Sequence, residues 1–153
     1  MPKDENAPEN EMGEYDMVKK FRVGYLSGTF DLFHVGHIRL LRRAKELCGT
    51  LIVGVNENGA RKGKETFIPL EERLEVVAAC RYADVVIPAP PEDDMAWEML
   101  HYDVLFAGSD YIGSERFKRY ESTLADKNVK IIFFEYTQTT SSSIIRERIG
   151  REV

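Results

Sequence analysis

The sixteen residues from Gly24 to Arg39 constrain this chain more than any other stretch. They run Gly-Tyr-Leu-Ser-Gly-Thr-Phe-Asp-Leu-Phe-His-Val-Gly-His-Ile-Arg, an apolar segment that turns at Gly28-Thr29 and enters a helical pattern through two histidines spaced three apart. Such a segment is a strand whose carboxyl end feeds a helix N-terminus. In α/β proteins that junction binds phosphate, because unpaired backbone N–H groups and the helix dipole both point at the ligand.

The remaining chain repeats the alternation. Phe21–Ser27 reads as the first strand, and Ile38, Leu40, Leu41, Ala44, Leu47 and Cys48 recur at helical spacing behind it, with Gly49 where a C-terminal cap belongs. Leu51–Val55 is an unbroken apolar run, the signature of a strand covered on both faces. Asn56–Ile68 is a polar loop with Arg61, Lys62 and Lys64 around Gly63, and Pro69 opens a second helix. Asp84–Pro88 is the third strand, Ala89–Asp94 an acidic turn-rich loop, Met95–Tyr102 a short helix and Asp103–Gly108 the fourth strand. A loop at Ser109–Gly113, a charged helix from Glu115 to about Lys127 and a strand at Lys130–Tyr136 follow. Finally the hydroxyl-rich run Thr137–Ser143 supplies a cap and donors to a last helix at Ile144–Ile149. The expected class is α/β: one Rossmann-like domain, an open parallel sheet of about five strands with helices on both faces.

With 153 residues there is material for a single core, over residues 19–153, preceded by an acidic tail at residues 1–18 whose lack of apolar content predicts disorder. A formal charge of −5 argues against nucleic acid as a partner. No apolar run is long enough for a membrane span, so the default location is cytoplasmic. Cys48 and Cys80 lie in helical apolar patterns without a partner at metal-ligand spacing and read as core residues.

Topology gathers four polar segments beyond the strand ends: the Gly28-Thr29 turn, the lysine loop, Ser109-Asp110 and the Thr137–Ser143 run. His34 and His37 share one face of the first helical turn, with Gly36 between them leaving the backbone open to a ligand. Zinc is disfavoured because no cysteine or further histidine falls in a rim loop, and no metal ligands are assigned. Asp31 has three open roles: orienting a histidine, contacting magnesium or capping the helix. Lys62 and Lys64 are placed to reach an anion lying against the turn, and Arg81, near the end of the second helix, also reads as a plain surface charge.

Six segments together resemble the cytidylyltransferase-like nucleotidyltransferases, in the branch of glycerol-3-phosphate cytidylyltransferase: Gly28–His37, Lys62-Gly63-Lys64, Glu72-Arg73, Arg81–Asp84, Gly108–Asp110 and Ser141–Ser143. The resemblance implies the nucleotidylyl transferase fold and transfer of CMP from CTP to a small phosphorylated alcohol. Pyrophosphate leaves, magnesium accompanies the triphosphate, and the enzyme is a homodimer. It implies that His34, His37 and Lys62 are catalytic and that Lys62 and Asp31 serve the acceptor. Gly28, Thr29, Phe30, Lys64, Arg81, Asp110, Thr137, Ser141, Ser142 and Ser143 would join the histidines in binding nucleotide. Two departures stand out. Tyr136–Ser143 replaces a segment that in the family begins with an arginine facing the triphosphate, and Pro88–Asp94 is acidic where the glycerol-phosphate enzymes carry a lysine. The second departure would suit an amine-bearing acceptor such as phosphocholine or phosphoethanolamine. An ATP-dependent adenylyltransferase acting on a sugar phosphate, and a catalytically silent nucleotide-binding module, remain as alternatives.

Overall fold

The computed structural model describes residues 19–58, 65–135 and 141–152. The acidic tail and the assignments to Lys62, Lys64 and Thr137 lie outside the described residues. Five strands, β1 (Phe21–Gly28), β2 (Cys48–Val55), β3 (Val85–Pro88), β4 (Val104–Gly108) and β5 (Lys130–Phe134), form one parallel sheet in the order β3-β2-β1-β4-β5. The helices are α1 (Val35–Leu47), α2 (Leu70–Ala78), α3 (Asp93–Leu100), α4 (Glu115–Thr123) and α5 (Ser142–Glu152).

Strand residues alternate between two cores, as the two-residue pleat demands. Leu26, Leu51, Val53, Val55, Val104 and Phe106 face Leu41 and Ala44 of α1 and Val77 of α2. Tyr25, Ile52, Leu105 and Ala107 face Ala96 of α3 and Phe117 and Tyr120 of α4. Both faces of the sheet are therefore covered, which is why the central strands read as unbroken apolar runs.

Three boundaries differ from the sequence expectation. Gly49 is not a helix cap: Cys48 already has extended backbone (φ −135°, ψ 154°) and pairs with Phe21, so β2 starts directly after α1. Helix α3 begins at Asp93 rather than Met95, its acidic first turn complementing the helix dipole. Helix α4 stops at Thr123, and Ala125–Lys127 forms a single 3₁₀ turn. Cys48 is buried, its thiol pushed up to about 11 chiefly by burial, and Cys80 is half-buried, consistent with packing roles.

Strand order reverses between β1 and β4, so the connections leaving their carboxyl ends diverge and open a crevice there. The turn after β1, the loops after β2 and β3, the turn after β4 and the start of α5 all border it.

Candidate active site

The β1–α1 turn is held in an uncommon shape. Phe30 (φ 53°) and Leu32 (φ 52°) both occupy the left-handed region, at a cost of about 1–2 kcal/mol each for residues bearing a side chain. Glycine precedes them for a steric reason: a Cβ on Gly28 would stand 2.9 Å from Cε2 and 3.0 Å from Cζ of the Phe30 ring. The buried Phe30 ring then meets the edge of His37 at 5.4 Å between centroids, while Phe33 stacks on His37 at 5.3 Å.

Both histidines belong to the helix cap itself. His34 is the N-cap of α1 and its Nδ1 accepts from the Gly36 N–H at 3.0 Å; His37 Nδ1 accepts from the His34 N–H at 3.1 Å. A capping box made from two histidines assigns the tautomer: with both Nδ1 atoms accepting, each neutral ring carries its proton on Nε2. The rings lie 3.9 Å apart, so two imidazolium charges would repel. Burial also pulls the His34 pKa below its ordinary value, which keeps that ring neutral.

Asp31 is 3% exposed and sits at the centre of the rim. Its carboxylate accepts from the Phe67 N–H at 2.9 Å, the Ile68 N–H at 3.1 Å and the Arg146 guanidinium, and its carbonyl accepts from Ser142 Oγ at 2.8 Å. These contacts correct its assignment to the acceptor: a carboxylate enclosed by two amides and an arginine is a tie joining the turn, the post-β2 loop and α5. Arg146 is also clamped, donating to the Glu65 carbonyl at 2.9 Å with its guanidinium over the Phe67 ring.

Arg73 is the second tie, and sequence reasoning gave it no role. It is 1% exposed, and its guanidinium donates to the carbonyls of Ile68 (2.8 Å), Thr29 (2.8 Å), Asn56 (2.6 Å) and Glu57 (2.6 Å). A signal existed: Arg73 falls between Leu70, Leu74 and Val77 on the apolar stripe of its helix. Arg81, by contrast, is exposed in the turn before β3, near the amino edge of the sheet. The structure does not bring it to the crevice.

Two adjoining cavities occupy the crevice. The inner one, about 160 Å³, is bordered by Gly28, Phe30, His37, Asp93, Ser142 and Ser143 among others. The outer one, about 440 Å³, includes Asn56, Asn58, Glu92, Ser114 and Arg119. Ser27, Gly28, Thr29, Tyr111 and Arg116 line both. Ser141 Oγ accepts from the Ile144 N–H at 3.2 Å, so the hydroxyl run caps α5 and turns its N-terminus toward the inner cavity. Asp110 is exposed in the turn after β4, outside both linings; its neighbour Tyr111 is the lining residue. The acidic loop is internally engaged: Glu92 accepts from Arg119 at 2.8 Å and from the Tyr120 hydroxyl, Asp93 from Ser27 Oγ at 2.6 Å, and Asp94 from Thr123 at 3.0 Å.

His37 lines the inner cavity while His34 lines neither cavity, and Ser142 and Ser143 at the start of α5 border the same inner space; two helix N-termini and a histidine around one cavity suit an anion. Comparison with known proteins agrees. Glycerol-3-phosphate cytidylyltransferase of Staphylococcus aureus is 35% identical over 128 residues, 80% of this chain and 90% of that protein. Ethanolamine-phosphate cytidylyltransferase of Arabidopsis thaliana is 33% identical over 84% of this chain, which spans only 33% of that longer protein. Among solved structures, a lipopolysaccharide core biosynthesis protein from Thermoplasma volcanium shares the fold with a TM-score of 0.64 at 20% identity, over 78% of this chain and 99% of that one. Because the family model described as cytidylyltransferase-like also matches residues 25–148, nearly everything from mid-β1 into α5, the chain belongs to the cytidylyltransferase-like family.

Proposed function

We propose that this protein transfers CMP from CTP to a small phosphorylated alcohol and releases pyrophosphate. The observation that carries the reading is the histidine capping box beside the inner cavity. An oxygen of the acceptor's phosphate attacks the α-phosphorus, a new P–O bond forms, and the bond to the β-phosphate oxygen breaks. Negative charge accumulates on the equatorial oxygens during this exchange. That charge is assigned to His37, which lines the inner cavity at a positive helix end, with His34 capping the same turn and its N–H fixing the His37 ring through Nδ1, so little reorganisation is needed. No protein nucleophile is required.

Ser142 and Ser143 at the N-terminus of α5 serve the β- and γ-phosphates, with Ser141 as the cap that holds them. Lys62 and Lys64 are assigned to acceptor and nucleotide phosphates, as the family resemblance implies. Magnesium is proposed to arrive with the triphosphate. Among the described residues no group of three His, Cys, Asp or Glu side chains that could hold a metal ion is present. When bound, magnesium neutralises charge on the leaving pyrophosphate. Among the described residues no helix is long and apolar enough to cross a membrane. A cytoplasmic homodimer is proposed with this reading, and sedimentation of the purified chain tests the dimer.

The direct test is pyrophosphate release from CTP or ATP across a panel of phosphorylated alcohols and sugars, with wild type and His37→Ala. CTP with a phosphorylated alcohol is the expected productive pair. Removing one fixed donor lowers kcat by about 10²–10³-fold while CTP binding changes little. Full turnover in His37→Ala overturns the catalytic assignment. ATP turnover with a sugar phosphate would favour an adenylyltransferase.

A further inference from the structure

Resting on the transfer reading above, we infer that Arg116 determines acceptor specificity, selecting a phosphomonoester whose other groups are hydroxyls over one that carries an amine or quaternary ammonium. The inference starts from where the site's charges are spent. Arg146 is committed to Asp31, Arg119 to Glu92, and Arg73 to four backbone carbonyls. Arg116 differs. Its guanidinium lies over the rings of Tyr111 (4.9 Å), Phe117 (5.4 Å) and Tyr120 (5.9 Å), and among the described residues it has no carboxylate partner. Aromatic faces orient a guanidinium without consuming its N–H donors, so the fork stays available to a ligand.

Its position gives that availability a purpose. Arg116 lines both cavities, standing where an acceptor in the outer one must reach toward the transferred phosphorus in the inner one. Among the described residues the outer cavity holds two guanidinium groups, Arg116 and Arg119, against the single carboxylate of Glu92, which already accepts from Arg119 and Tyr120. Taken together the two cavities set three guanidinium groups, Arg116, Arg119 and Arg146, against the carboxylates of Glu92, Asp93 and Asp31; Glu92 is engaged by Arg119, Asp31 by Arg146 and Asp93 by Ser27 Oγ, so the Arg116 fork is the charge presented at the junction. A dianionic phosphate therefore gains a bidentate partner at the junction, and hydroxyls meet Asn56 and Ser114 beyond it. A cationic headgroup would instead meet the Arg116 guanidinium at the junction and find the Glu92 carboxylate already engaged by Arg119 and Tyr120. The acidic character of the Glu92–Asp94 loop, read from sequence, thus points to the opposite acceptor from the one its side-chain contacts favour.

The test compares glycerol 3-phosphate with phosphoethanolamine on wild type, Arg116→Gln, Arg116→Lys and Arg116→Glu. Acceptor binding is followed by calorimetry, CTP-dependent turnover by pyrophosphate release, and folding by thermal melting. Wild type is expected to prefer glycerol 3-phosphate. In Arg116→Gln its kcat/KM falls about 10- to 100-fold, the loss expected for charge-assisted hydrogen bonds, with the KM for CTP unchanged. Arg116→Lys recovers part of the loss, and Arg116→Glu narrows or inverts the preference. Preference of the wild type for phosphoethanolamine, an Arg116→Gln enzyme equal to wild type, or a loss felt equally in the KM for CTP overturns the inference while leaving cytidylyl transfer intact. Calorimetric binding of glycerol 3-phosphate that depends on Arg116, in a wild type that turns over no CTP, upholds the inference and overturns the transfer reading. Absent binding and absent turnover overturn both.

Discussion

Replacing Asp31 by asparagine separates a residue that holds the site together from one that touches substrate. In the native protein the carboxylate accepts two backbone N–H groups and the Arg146 guanidinium while only 3% exposed. Asparagine nearly preserves the volume but removes the charge and turns one acceptor into an N–H₂ donor facing other donors. Each buried donor left unsatisfied costs about 1–3 kcal/mol, and breaking a fully buried ion pair costs about 3–5 kcal/mol. The Arg146 side chain retains 20% exposure, so water recovers part of its loss. The expected destabilisation is about 2–3 kcal/mol, or about 6–10 °C in Tm for a domain of this size. Because Arg146 and the Ser142 hydroxyl anchor α5 to the turn through the same residue, CTP affinity should fall together with stability, and KM for acceptor and nucleotide should rise together. Calorimetry of unfolding and steady-state kinetics read both quantities. A double-mutant cycle with Arg146→Gln should show coupling of about 1 kcal/mol or more. Unchanged Tm with a selective rise in acceptor KM would refute the positioning role and restore Asp31 to the acceptor site.

Arg73→Lys keeps the charge but cannot reproduce a fork donating to four carbonyls, so urea unfolding should report a loss of about 2–4 kcal/mol; a loss under 0.5 kcal/mol would contradict the fork. In Gly28→Ala the new Cβ meets the Phe30 ring at 2.9 Å, so Phe30 and the His37 edge it packs against must shift. Turnover should drop by at least about tenfold with destabilisation of about 1–3 kcal/mol, and wild-type kinetics would show the contact to be soft. For His34, burial lowers the folded-state pKa below the unfolded value of 6.5, so the unfolded chain takes up the proton first and stability is lost as pH falls below about 6.5 through the folded pKa. Asparagine is a strong N-cap that does not titrate. His34→Asn should therefore flatten the melting-temperature profile between pH 8 and 5 while lowering turnover by about 10²-fold; an unchanged slope would refute the assignment.

The sheet was legible because its central strands are buried on both faces, so Leu51–Val55 and Val104–Phe106 read as unbroken apolar runs. Their exact starts were not. Cys48 and Gly49 continue a helical pattern by composition, and only pairing with β1 draws them into β2. The histidines were visible as a spaced pair, yet local sequence could not foretell that they cap their own helix, since histidine is not a preferred cap. Asp31 and Arg146 lie 115 positions apart, and Arg73 reaches Thr29 across 44. No local pattern encodes such ties. They follow from the topology, which returns each loop to one crevice.

The ties also explain why, among the described residues, most of the arginines around the crevice are not offered to a ligand. Arg73 and Arg146 stitch four rim segments to one another, so their charge is spent inside the scaffold before any ligand arrives. An arginine used in this way fixes the relative placement of the rim segments, which phosphoryl-type transfer needs, because its catalysis rests on positioning and fixed dipoles more than on proton chemistry. Among the described residues recognition is then left mainly to the His37 ring and the backbone amides at two helix ends. Neutral donors discriminate poorly between one phosphate and another. A single guanidinium with no carboxylate partner among the described residues, placed where the cavities meet, supplies what they lack: a charge that distinguishes an anionic acceptor from one carrying its own cation.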